Sequence, residues 1–193
     1  KKIPVLPHII NKHNFLGDLR NDLKIDSKKI VIGRHGGPNT FDIDFVKRVI
    51  KKVLDKREDI IFLFLNTTKF LEHERVIYLP KTISNNTKSR FINTCNFMLH
   101  ARKDGETFGL AVAEFSAANK PIITYGKSKD NEHLRILKDK AIIYNDEDEL
   151  FNILKNIKNF LYKNKNLNCY KNYEPSIIIK KFDEICLQKN NIK

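Results

Sequence analysis

The sequence contains no tryptophan, one methionine, three cysteines and seven glycines in 193 residues. Cys95, Cys169 and Cys186 are odd in number and scattered. That excludes a closed disulfide framework and offers no metal-ligand spacing. It suits free thiols in a reducing, cytoplasmic compartment. Long apolar runs are missing too: Ile60 to Leu65 is among the longest and is far too short to cross a bilayer. No low-complexity block or internal repeat interrupts the chain, and its 41% hydrophobic content is globular. The chain opens at Lys1 without a methionine and reads as a piece of a longer protein.

Acidic residues are the scarcer charge, 23 against 36 basic ones, for a net charge of +13. This balance favours anionic partners. The lysines are spread along the whole chain among Asn and Ile, however, as on a solvated surface. Nucleic acid is therefore not an expected partner, and contact with a membrane surface or an anionic acceptor is what the basic face would serve.

Secondary structure is legible from periodicity. Residues 1–28 hold Pro4 and Pro7, which disfavour helix and suggest an extended strap. A buried strand is expected at 28–33, turn chemistry at 34–42, and a helix at 43–57 with Asp42 as its N-cap. Further strands are expected at 60–65, 75–79, 97–101, 120–126 and 141–144. Helices are expected at 86–95, 109–118, 131–137, 146–164 and 175–188. Continuous apolar strands alternating with amphipathic helices predict an α/β fold: a doubly wound, Rossmann-like parallel sheet with helices on both faces. In such a sheet ligands bind beyond the carboxyl ends of the strands, where the topology switches. A strand order of the 3-2-1-4 kind would make the loops at 34–41 and 101–108 face each other.

Those two loops are also the most glycine-rich. In "DGETFGLAVAE", Gly105 and Gly109 let backbone approach a ligand, and a helix opens near Phe108–Leu110 with unsatisfied N–H groups. Such a helix mouth suits a diphosphate. Glu114, in its first or second turn, suits the vicinal diol of a ribose. Glu106, before the helix, suits a second polyol. In "GRHGGPN", Arg34 is placed to pair with phosphate and Gly36-Gly37 to bring amides to the same anion. The same residues also suit an ordinary loop-to-helix junction and an ordinary tight turn, and both readings stand on spacing alone. Neither loop is a dinucleotide fingerprint or a Walker loop.

The segment "GETFGLAVAEFSAANKPIIT" resembles the E-x7-E segment of retaining GT-B glycosyltransferases, with Glu106 and Glu114 in the two acidic positions. "KIVIGR" resembles the first strand of their C-terminal, donor-binding domain, and "IPVLPHII" lies where the interdomain hinge enters it. The resemblance implies a nucleotide-diphosphate sugar as donor and transfer to an acceptor hydroxyl, with retention. It implies Glu106 and Arg34 as catalytic residues, and Gly36, Gly37, Gly105, Thr107, Phe108, Gly109, Leu110 and Glu114 as the donor site. No metal and no cofactor beyond the donor is expected. One departure is visible: no lysine lies between Arg34 and Lys47, so the usual second cation is missing and Lys103 or Lys127 would have to replace it. Residues 1–28 would be a hinge from an absent N-terminal domain, 29–172 the nucleotide-sugar-binding domain, and 173–193 a C-terminal helix and tail. A non-catalytic basic module for nucleic acid or protein, on a degenerate transferase fold, is the alternative. A two-domain epimerase is a third reading.

Overall fold

In the computed structural model of the chain, residues 4–11, 16–161 and 166–187 are described. Strands β1 (Ile30–His35) and β2 (Ile60–Leu65) are almost wholly buried, as continuous apolar runs require of a sheet covered on both faces. Helix α1 (Asp44–Lys56) joins them, and β3 (Val76–Leu79) extends the sheet outward. Helix α2 (Asn85–Thr94) brings the chain back to β4 (Phe97–His100) on the other side of β1. Next come a two-residue strand β5 (Gly105–Glu106), α3 (Leu110–Ala117) and β6 (Ile122–Tyr125). The rest is β7 (Asp130–Asn131), α4 (Glu132–Leu137), β8 (Ala141–Tyr144), α5 (Glu147–Lys155) and α6 (Pro175–Phe182).

Among the described residues the main sheet runs β3-β2-β1-β4-β6-β8, with every pairing parallel. The expected order of the first four strands is thus observed. Strand periodicity assigns each side chain to a layer. Ile30, Ile32, Ile60, Phe62 and Phe64 face a core closed by α1 and α5. Val31, Ile61, Leu63 and Leu65 face a second core with Phe91 of α2 and Phe115 of α3. Ile10, Leu19 and Ile25, from the segment before β1, are buried in that second core. Burying each such side chain contributes roughly 1.5–3 kcal/mol. No helix among the described residues is long and apolar enough to cross a membrane.

Four local expectations are corrected. Arg34 and His35 continue β1, in register with Phe64 and Leu65, because the β2 ladder extends that far. The N-cap of α1 is Ile43, without a side-chain bond, while the Asp42 carboxylate accepts from the Lys103 amide at 2.8 Å. Helix α5 ends at Lys155, short of the expected 146–164, with a 3₁₀ turn Ile157–Phe160 after it; residues 162–165 lie outside the described residues. Helix α6 gives way at Asp183 to a π-type turn, Asp183–Leu187.

Candidate functional site

The chain runs outward from β1 to β3 and then returns to β4, so the loops leaving β1 and β4 diverge and open a crevice between them. A cleft of about 270 Å³ lies there. Arg34, Gly36 and Gly37 form part of one wall, and Glu106 with the Thr107–Leu110 stretch forms the other. The two loops singled out in the sequence therefore meet.

Arg34 is 4% exposed. Its Nη2 donates to the Gly37 carbonyl at 2.8 Å and to Thr40 Oγ at 2.6 Å. Its Nη1 donates to the Asn66 carbonyl at 3.3 Å and to the Thr67 hydroxyl. One guanidinium thus ties the loop after β1 to the loop after β2. Burial pulls its pKa down to about 10, against the opposing pull of Glu106 and Asp42, so it keeps its charge at neutral pH.

Glu106 is positioned by a small ribbon. Strand β5 pairs with β7, Gly105 opposite Asp130 and Glu106 opposite Asn131. Gly105 has φ +71°, and a Cβ there would sit 1.9 Å from the Asp130 carbonyl oxygen, so only glycine allows the pairing. Glu106 Oε1 then lies 3.3 Å from His100 Nε2 and 3.2 Å from Arg102 Nη1. Burial pushes its carboxyl up in pKa, but the His100 hydrogen bond and the His100 and Arg102 charges outweigh it, and the net displacement is downward. Arg102 is thus the cation beside Glu106.

Helix α3 opens on Gly109, whose φ of +81° turns the chain sharply into the helix without a side-chain cap. The first turn closes with the Ala113 amide on the Gly109 carbonyl at 2.8 Å. The amides ahead of it have no partner within the helix, as at any helix start. An aromatic buttress holds this mouth: Tyr170 donates its hydroxyl to the Phe108 carbonyl at 2.9 Å, and the Phe108 ring meets Tyr170, Tyr173 and His8 edge-on or tilted. Phe41 is buried in the first core and Phe45 packs against it.

Glu114 lies one turn deeper in α3, outside the lining of the cleft. Its carboxylate takes Lys88 Nζ at 2.6 Å from α2. His35 Nε2 approaches it at 2.9 Å, out of line for a hydrogen bond. Gly105 also sits behind the wall and not in it. Sequence reasoning did not assign roles to Arg102, Lys88 or Thr40. Arg102 stands four residues before Glu106 in a loop already nominated, and it was the available signal. Lys88 had none, since its helix is weakly amphipathic and far away in sequence.

No protein-family model matches the sequence, and no curated protein sequence does. Solved structures do resemble it. WaaG, a glycosyltransferase involved in lipopolysaccharide biosynthesis, superposes with TM-score 0.69 at 13% identity, over 95% of this chain and 56% of its own. Anabaena Alr3699/HepE, solved with UDP and glucose, gives 0.67 at 13% identity, over 90% of this chain and 51% of its own. The pneumococcal O-GlcNAc transferase GtfA, solved with UDP and GlcNAc, gives 0.67 at 11%, over 96% and 39%. The chain has the Rossmann-like fold of GT-B glycosyltransferases, and it spans about half the length of the first two of these proteins.

Proposed function

We propose that this chain is the donor-binding half of a glycosyltransferase that takes a nucleotide-diphosphate hexose and transfers the sugar, with retention, to an acceptor hydroxyl. One observation carries the reading. The Glu106–Leu110 segment and the Arg34–Gly37 segment, far apart in sequence, face each other across a cleft at the switch point of a GT-B-like sheet. The solved neighbours that hold UDP make UDP the first nucleotide to test.

Roles follow from what each group can offer. The open amides at the start of α3 and at Gly36-Gly37 take phosphate oxygens. Arg102, which lines the cleft and is one-third exposed, supplies the cation that the loop after β1 lacks. Arg34, held by protein acceptors, shapes the wall and adds its field. Glu106 accepts sugar hydroxyls, and Glu114 turns from Lys88 to accept the ribose diol. As the leaving diphosphate gains charge, preoriented N–H donors and two guanidinium groups stabilise it, with no metal required of this half. Residues 1–28 would then be the hinge from a partner domain that supplies acceptor groups, and the free thiols are in keeping with a cytoplasmic location.

Isothermal titration with UDP, GDP and ADP tests this. UDP should bind, and Glu114→Ala and Arg102→Ala should each weaken it about tenfold, the loss of one charge-assisted contact of about 1.4 kcal/mol. If none of the three nucleotides binds, the donor site does not exist.

A second reading draws on one specific observation: the Arg34 guanidinium and the Glu114 carboxylate are both engaged within the protein. A non-catalytic basic module would look like this. It would bind RNA with a steep salt slope and be indifferent to Glu114→Ala.

A further inference from the structure

Behind Glu106 lie two histidines and a threonine that the transfer reaction does not use. His100 Nδ1 is 2.9 Å from Thr124 Oγ, and the same oxygen is 3.1 Å from His133 Nε2. His100, Thr124 and His133 are all buried, His133 completely. We infer that these three side chains form one hydrogen-bonded relay, that His100 is the positioning residue for Glu106, and that the direction of the relay's protons changes when His100 gains a proton.

Proton counting gives the argument. A threonine hydroxyl donates one hydrogen. Set between two imidazole nitrogens, it donates to one ring and accepts from the other. His100 Nε2 faces the Glu106 carboxylate, which only accepts, so Nε2 carries a proton. In the neutral ring Nδ1 is then bare, and Thr124 donates to it. Thr124 in turn accepts from His133 Nε2–H, which leaves His133 Nδ1 bare. That nitrogen is buried without a hydrogen-bond partner, beside the backbone of Glu106.

Adding one proton reverses the chain. His100 Nδ1 now donates, Thr124 turns and donates to His133 Nε2, and His133 carries its hydrogen on Nδ1, toward the backbone of Glu106. The balance is one proton gained from solvent, with a hydrogen now on His133 Nδ1. One proton passes from His133 Nε2 to the Thr124 oxygen, and one from that oxygen to His100 Nδ1. His133 remains singly protonated throughout, since burial, with the His100 charge, holds its own pKa down at about 4. Glu106 gains an imidazolium in place of a neutral donor.

Charged and titratable groups from several elements face His100. Glu106 and Arg102 lie at its outer edge and His133 at its inner side, with ring centroids 4.9 Å apart. From β8, Tyr144 donates its hydroxyl to the His100 carbonyl at 2.9 Å, and Arg34 of β1 acts on Glu106 from across the cleft.

The significance of Glu106 as the sugar contact rests on the donor-site reading; the relay does not. Imidazole ¹⁵N spectra of the whole chain, recorded between pH 8 and 5 without nucleotide, test it. His133 should switch from the Nε2–H to the Nδ1–H tautomer with the same midpoint at which His100 takes its second proton. Thr124→Val, close in shape, should leave His133 in one tautomer while His100 titrates, and Thr124→Ser should restore the joint change. A His133 that keeps one tautomer in the native chain, or a coupling that survives Thr124→Val, overturns the relay. Absence of UDP binding overturns the donor site and is read in a different measurement.

Discussion

At the scale of single residues, the chain places its few special side chains where backbone or charge demands them. His133 illustrates the energetic consequence. In the unfolded chain a histidine titrates near pH 6.5, and in the fold this one titrates at about 4. A depressed folded pKa means that the stability it brings is complete above pH 6.5 and is lost as pH falls toward 4. Unfolding by urea should therefore show a loss of about 2 kcal/mol between pH 7 and pH 5 from this group. His133→Gln should flatten that dependence. A slope unchanged by the substitution would assign the loss to other groups. Gly105 and Gly109 are residue-scale necessities of another kind: both have positive φ, and at Gly105 an added methyl group would collide with the Asp130 carbonyl, while at Gly109 it would press on three neighbours at 3.3 Å. In the "DGETFG" stretch they suggest backbone approaching a ligand. What they could not reveal was the approaching partner, the Asp130 carbonyl, twenty-five residues on.

Among elements, helix starts separate side chains that cap from side chains that brace. Ser84 accepts from the Thr87 amide at 3.2 Å and caps α2. Asp42, one residue before the N-cap of α1, braces the loop after β4 instead. Ser84→Ala should lower stability by about 1 kcal/mol and raise exchange of the first α2 amides. Asp42→Ala should leave α1 amides protected and expose the Lys103 amide, readable by hydrogen exchange. Protection lost along α1 would contradict the assignment. The main sheet was readable in the sequence because Ile30–Gly33 and Ile60–Leu65 are buried on both faces, and such strands announce themselves as unbroken apolar runs; Ala141–Tyr144 is an apolar run too, although it forms the sheet edge and leaves Ile143 exposed. Strands β5 and β7 did not, since two residues carry no period, and Asp130-Asn131 looks like a turn. The wall residues of the cleft were legible through glycine and helix-start chemistry. Arg102, Lys88 and the His100–Thr124–His133 chain were not, because their meaning comes from neighbours in space, supplied by the β4–β6 register and the packing of α2 and α4.

For the molecule as a whole, the chain equals about half of WaaG in length, so catalysis by it alone is a separate matter from binding. The proposed division of labour expects the isolated chain to bind UDP yet release glucose from UDP-glucose at no more than the rate seen in buffer, measured by coupled detection of UDP. Turnover well above that rate would show that no partner domain is needed. The net charge of +13 bears on this measurement, since low salt would draw any anion to the surface, and titrations belong at 0.15 M ionic strength. The guanidinium of Arg34 joins two loops through protein acceptors alone. That wall is therefore already ordered, and a nucleotide meeting it loses little affinity to the freezing of mobile chain. Binding should consequently leave backbone order parameters from Gly36 to Thr40 almost unchanged, and whatever rearrangement accompanies it should be confined to the opposite side, where Glu106 and Arg102 are held by longer, more exposed contacts.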